Sequence, residues 1–434
     1  MRPGRLFLYY LLLLVVMVSW TNMAMSPPLP VRILFLIAVL YPGLNDVRGL
    51  LVAALTCFWS IASFGYAYSY MPTMPYIYVI VLSLGLWLFW DRHKEITSRL
   101  LGGENSLVFF FLIYVWLNDA YTESSLGNTS YTLLTMTMLV PFVPVVNRRT
   151  VTYFSLAFMT ITVVLSFYLM TTRDIFAFGA SEFTPELNRI GWSDQNYLGL
   201  GVGMGASVAF TCLMNTRLYH WYFVIYSLFA FAISIPVLLL LGSRGALVCL
   251  LVSVVIQFMF SKAKRKWKVL LVLAGMAFVY YLYTNEYFDL LEKRFEADDG
   301  TGSNRMLIWT KKMDAFYSRA DVFSIVFGIG KDQGIGITPI LGLINMGFHN
   351  DFLGFFICYG LIGLFFFVAM LFRPLLKCRK NSPYRSVVWA NLAFILVGSM
   401  TLEPFLMDLY PFYAFLFYTL LLTKLKLVQA KLTS

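Results

Sequence analysis

Charge is scarce in this sequence: only 13% of its residues are Asp, Glu, Lys or Arg. A soluble domain carries roughly a quarter, so an ordinary water-exposed globular fold is excluded. Cysteine is rare too, with five residues in all. Cys57, Cys212, Cys249 and Cys358 fall inside apolar runs and Cys378 in a basic connection, so no disulfide framework is implied. Histidine occurs three times, and His93 and His220 also sit in basic connections, which leaves His349 on its own. With no His/Cys cluster, and Asp298–Asp299 as an isolated pair, no catalytic metal site is expected. There is no GxxxxGK[ST] loop, no zinc-finger spacing and no basic stripe with interleaved stacking aromatics, so no nucleic-acid partner is expected.

What the chain does have is apolar length. It is 59% hydrophobic and 18% aromatic, with a mean hydropathy of +0.74. A bilayer core takes about 20 apolar residues per helix. On that basis fourteen spans are predicted, near 6–20, 32–44, 50–68, 76–90, 106–118, 131–146, 150–170, 196–214, 221–241, 245–260, 269–283, 349–371, 387–404 and 409–424. The expected fold is an all-α polytopic membrane bundle. The second span, ending in YPGL, also suits a re-entrant hairpin. The start MRPGRLFLYYLLLLVVMVSW resembles a signal peptide, but TNMAMSPPLP after it offers a poor cleavage site, so an uncleaved first helix is expected.

Basic residues orient the bundle. With both termini placed in the cytoplasm, 22 of the 33 Lys and Arg fall on the inner side, including the run SKAKRKWK, against four of the 22 acids. The net charge of +11 is therefore topology and contact with anionic lipid heads. Four stretches follow: N-terminal transmembrane helices over 1–171, central ones with a first outer loop over 172–283, a large outer loop over 284–348, and C-terminal transmembrane helices over 349–434.

Two outer regions have room for chemistry. The first is TTRDIFAFGASEFTPELNRIGWSDQN, residues 171–196. In the second, RMLIWTKKMDAFYSR sets Met306, Trp309, Met313 and Phe316 at helical spacing, which predicts an amphipathic helix on the membrane surface or on the bundle. GIGKDQGIGITP is glycine-rich but lacks the preceding strand and following helix of a phosphate loop, so a flexible turn is expected there.

Arg244 sits at the outer end of the tenth span, after a break at Gly242–Ser243. A lone interfacial arginine can simply snorkel. This one is the only basic residue of its short outer turn, and Arg189, Arg294, Arg305 and His349 lie on the same face. Guanidinium groups gathered at one membrane surface suit a phosphate-bearing lipid head, because their planar fork binds phosphate bidentately. His349 opens the twelfth span in GFHNDFLGFFICYGLIGLFFF. Taken alone it reads as a helix-start residue with Asn350 or Asp351 as cap; the functional alternative is a general base.

The pieces LGSRGALVCLLVSVVIQF, SNRMLIW, FGIG and HNDFLGFFICYGLIGLFFF, with NRIGWSDQNYLG upstream, resemble the O-antigen ligase and O-antigen polymerase superfamily in order and spacing, over roughly residues 185–370. The resemblance implies a C-type glycosyltransferase-like helical fold in the bacterial inner membrane. It also implies an active site on the periplasmic side, undecaprenyl-diphosphate-linked glycan as donor, no cofactor, and a partner protein that sets chain length. By the same resemblance Arg244 and Arg305 match the diphosphate-binding arginines and His349 the base on the acceptor hydroxyl. Arg189, Arg294, Asp194, Asn196 and Asn350 form a second tier. The first outer loop, TNMAMSPPLP, has no acid, whereas many lipid-linked glycosyltransferases of this fold use a carboxylate there; the burden falls on His349, with Asp194 as substitute.

A polymerase would extend another lipid-linked repeat unit, and a ligase would transfer to lipid A core. Fourteen spans and the DPNY-like segment DQNYLG favour the polymerase. A flippase would show related halves and broken or charged mid-membrane helices, and no repeat between 1–217 and 218–434 is visible. An anchor or scaffold would tolerate loss of Arg244 or His349.

Overall fold

The computed structural model describes residues 106–124, 148–171, 195–216, 219, 221–296, 305–337, 347–378, 382, 384–406 and 410–424. All regular structure among them is α-helical. In chain order the long helices are α1 (Ser106–Tyr121), α2 (Arg148–Thr171), α3 (Gln195–Met214), α4 (Trp221–Leu241), α5 (Arg244–Phe260) and α6 (Arg265–Thr284). Shorter ones follow, α7 (Asp289–Glu296), α8 (Arg305–Tyr317), α9 (Val322–Phe327) and α10 (Lys331–Ile335), before α11 (Asp351–Lys377), α12 (Arg385–Thr401) and α13 (Tyr410–Lys424). A helix stands over each expected span from 106–118 onward except 131–146. That span and the four before 106 lie outside the described residues. Among the described residues four helices are long and apolar enough to cross a membrane, within α3, α4, α6 and α11.

The most enclosed of these is α3, because its sequence is small on several sides. A Cβ on Gly205 would overlap the Thr162 hydroxyl of α2, and one on Gly203 would stand 3.3 Å from the Phe394 ring of α12. Backbones can then approach closely, which is how apolar helices gain packing energy without a hydrophobic drive between them. By contrast α6 hardly touches the rest of the protein, and Leu273, Met276 and Tyr280 on it are exposed.

The break expected at Gly242–Ser243 is present. Gly242 has φ +56, Ser243 is extended, and Arg244 is the first residue of α5. A second break is at Gly360 within α11, where φ is +65 and ψ −168. Interrupting the helix there frees carbonyls, and the glycine-rich segment fills them. Ile329 N–H donates to Ile357 O (3.1 Å) and Gly330 N–H to Cys358 O (2.9 Å). The Tyr114 hydroxyl of α1 donates to Tyr359 O at 2.6 Å, and it also reaches Phe327 O. GIGKDQGIGITP is therefore no flexible turn over its described part. It is a fixed strap between α9 and α10, and Gly328 and Gly330, both at φ +85, let it lie against the backbone of α11. Gly360 is nine residues into α11, about 14 Å along the axis at 1.5 Å per residue, so this part of the 284–348 loop is packed down into the bundle rather than standing in solvent. A five-residue helix does follow the glycines, but their N–H groups already have protein partners and do not form a phosphate cradle.

Candidate active site

The starts of α3, α5 and α11, the end of α12 and α8 converge, and the turn after α12 (Leu402–Leu406) is the piece that joins them. The α5 start packs on it directly: a Cβ on Gly245 would meet the Thr401 hydroxyl at 3.3 Å and Leu402 at 3.4 Å. Beside it the Ser243 hydroxyl donates to Asn196 Oδ1 at 3.3 Å, placing Asn196, at the head of α3, next to Arg244. On its other side the turn takes hold of α11. Asp351, the first residue of that helix, is fully buried and accepts the N–H groups of Phe405 and Leu406. Asp351 is thus spent on the turn, and Asn350 is the cap, its Oδ1 accepting Leu353 N–H at 3.1 Å.

Glu403 lies at the centre of the turn and is 1% exposed. Its Oε2 accepts the Phe348 N–H at 2.5 Å, and the His349 amide also stabilises its charge. Burial pushes this carboxyl up to about 7, against those amides and the charges of Lys312 and Lys331. The Glu403 carboxylate occupies the space a side chain at Gly347 would fill.

Residues 347–349 are held from below by α8. Trp309 Nε1 donates to Phe348 O at 2.8 Å. Lys312, with no exposure at all, donates to Ile335 O at 2.8 Å and sits 4.2 Å above the Phe348 ring. Burial holds its pKa below the ordinary lysine value, opposed by the charge of Glu403. The helix expected over this segment is present, but its buried line is Ile308, Lys312 and Phe316, with Trp309 and Met313 half-buried and Met306 60% exposed.

His349 itself has φ +52. Its imidazole is mostly buried, Nδ1 has no hydrogen-bond partner, and its pKa falls to about 4, through burial first and then the charges of Arg305 and Lys312. The imidazole is therefore neutral at physiological pH and lies within the field of a half-buried arginine. A neutral ring nitrogen in the field of a guanidinium pairs a proton acceptor with a cation able to attract an anion, a combination suited to transfer of a group from a phosphate ester to a hydroxyl.

The structure thus gathers Arg244 and Asn196 on one side of the turn and His349, Asn350 and Arg305 on the other. Arg294 lies in α7. Arg189 and Asp194 lie outside the described residues. Among the described residues no three His, Cys, Asp or Glu side chains converge to hold a metal ion. Glu403 and Lys312 were missed by sequence reasoning, although each carries a signal. Glu403 is a single acid closing an apolar span in SMTLEPF, and Lys312 occupies the i+4 position between Ile308 and Phe316.

Residues 229–368 match a family model described as O-antigen ligase. The matched segment runs from α4 into α11, so it contains Arg244, Arg305 and His349 and stops short of Glu403. No curated protein matches the chain.

Proposed function

With residues 229–368 in the O-antigen ligase and polymerase superfamily, we propose that this integral membrane protein is a polymerase of lipid-linked oligosaccharide repeat units. It moves the growing glycan from undecaprenyl diphosphate to a sugar hydroxyl of the next lipid-linked unit, on the periplasmic face of the bacterial inner membrane. In this reading Arg244 and Arg305 hold the diphosphate and stabilise the charge it gains as the sugar–phosphate bond breaks. Neutral His349 takes the proton of the attacking hydroxyl, and Asn196 and Asn350 line the approach. The bound diphosphate counters the charge of Arg305, so the His349 pKa rises toward neutrality when donor is present, which makes it a better base at the moment it is needed.

The observation that carries this reading is the neutral, mostly buried His349 in the field of Arg305. Polymerase is preferred to ligase on the DQNYLG segment that leads into α3 and on the number of apolar spans in the sequence. The ligase reading has its own support in the description of the matching family.

The test uses purified protein in lipid nanodiscs, with lipid-linked glycan extracted from cells lacking this chain. A polymerase releases undecaprenyl diphosphate and yields lipid-linked products lengthened by whole repeats. A ligase consumes donor only after lipid A core is added. Release of neither product, with both acceptors present, refutes glycan transfer.

A further inference from the structure

We propose that Lys312 and Glu403 form a clamp that fixes the Phe348–His349 turn, which makes both of them positioning residues for the His349 imidazole. This rests on the transferase reading above. His349 is in the left-handed region, where an L-residue stays only if its surroundings over-determine it. Its own Nδ1 makes no hydrogen bond, which leaves the backbone to set where that side of the ring faces. Both main-chain polar groups of the preceding residue are tied: Glu403 accepts Phe348 N–H and Trp309 donates to Phe348 O. Lys312 covers the Phe348 ring and is anchored in turn on Ile335 O.

The two charges come from elements ninety residues apart, and both are fully enclosed. Burying two charges costs stability relative to apolar residues of the same volume, so fixing one conformation is the better account of their presence. Arg305, Trp309 and Lys312 also lie at i, i+4 and i+7 of α8 and share one face. The helix that carries the phosphate-binding arginine therefore also carries the two contacts on Phe348. The clamp sets the spacing between Arg305 and His349, which is the spacing between the leaving diphosphate and the attacking hydroxyl.

The test takes Glu403→Ala, Glu403→Gln, Lys312→Met, His349→Ala and the Glu403→Ala/His349→Ala double variant, in nanodiscs with the extracted lipid-linked glycan. Displacing a reacting group by about 1 Å costs on the order of 100-fold. Glu403→Ala and Lys312→Met are expected to lower kcat by about that factor with donor KM within about 3-fold. Glu403→Gln, which keeps the acceptor for Phe348 N–H, recovers most of the rate. In the His349→Ala background, Glu403→Ala adds nothing. A further multiplied loss there, or a raised KM at unchanged kcat, overturns the proposal, because Glu403 would then act without His349. Hydrogen exchange gives a readout independent of activity: the Phe348 and His349 amides exchange faster in Glu403→Ala and keep their protection in Glu403→Gln. Unchanged exchange in Glu403→Ala overturns the clamp even if transfer is lost. If His349→Ala is as active as wild type, the base reading fails and the proposed role in catalysis fails with it, while exchange still reports whether the turn is held.

Discussion

Replacing Gly360 by alanine tests whether the strap at the broken helix is built in or incidental. The new Cβ would overlap the Val326 carbonyl and stand 2.6 Å from Gly328 N, all of it backbone that cannot rotate away. The conformation itself, φ +65 with ψ −168, is open to glycine almost alone and costs an L-residue about 1–3 kcal/mol. Relief by expelling the strap would break Ile329 N–H to Ile357 O, Gly330 N–H to Cys358 O and Tyr114 to Phe327 O, at about 1 kcal/mol each. Expelling the strap leaves the strained conformation in place, so the two costs add to roughly 4–6 kcal/mol. Gly275→Ala is the matched control: its Cβ meets nothing within 4 Å, so the change is worth no more than about 1 kcal/mol, in the stabilising direction. Thermal melting in detergent and protease cleavage between 322 and 337 would read both variants. A Gly360→Ala protein that melts and resists cleavage like wild type would refute the strap as a structural element.

Two further predictions concern charge. His349 is held near 4, so the base form is present across the neutral range and kcat/KM falls only on the acid side. Arg305→Gln removes one of the two cations that depress it, so the remaining acid limb moves to higher pH. A limb that stays in place would show that Arg305 is remote from the imidazole. Burial raises the folded pKa of Glu403 to about 7, above the ordinary glutamate value of 4.5. Its contribution to stability is therefore fully present below pH 4.5 and lost as pH rises through 7. Denaturant melts at pH 5 and pH 8 should differ less in Glu403→Gln than in wild type, and an unchanged difference would mean that another group governs the transition.

Among the described residues the helices were largely legible because apolar length is a one-dimensional signal. Each long run from 221 to 260, and those at 349 and 387, became a helix with the expected break at Gly242. Arg244, Arg305 and His349 stand out through short motifs whose order survives in a single sequence, and the structure brings His349 into the field of Arg305. What holds them in place was not legible. Glu403 meets Phe348 across 55 residues, and Lys312 finds Ile335 through a loop that folds inward. Contacts of that kind depend on where helices end relative to one another, and no local pattern encodes it. The glycine-rich segment failed for a related reason: glycine was read as freedom, whereas here its missing Cβ and positive φ allow close contact with the carbonyls that the break in α11 releases. Reading α8 by its aromatic and Met spacing likewise found the helix but misplaced its inner face by about a quarter of a turn, since the buried line includes a lysine.

The central claim, glycan transfer at a site built on Arg244, Arg305 and His349, is tested most directly by rescue in cells lacking this protein. Wild type, Arg244→Ala, Arg305→Ala and His349→Ala would be expressed at matched membrane levels and the surface glycan resolved as a ladder on a gel. Wild type is expected to restore a multi-unit ladder while each variant leaves single repeats. Ladders of wild-type length from all three variants would contradict the site, and with it the reading of this protein as a transferase working through these residues.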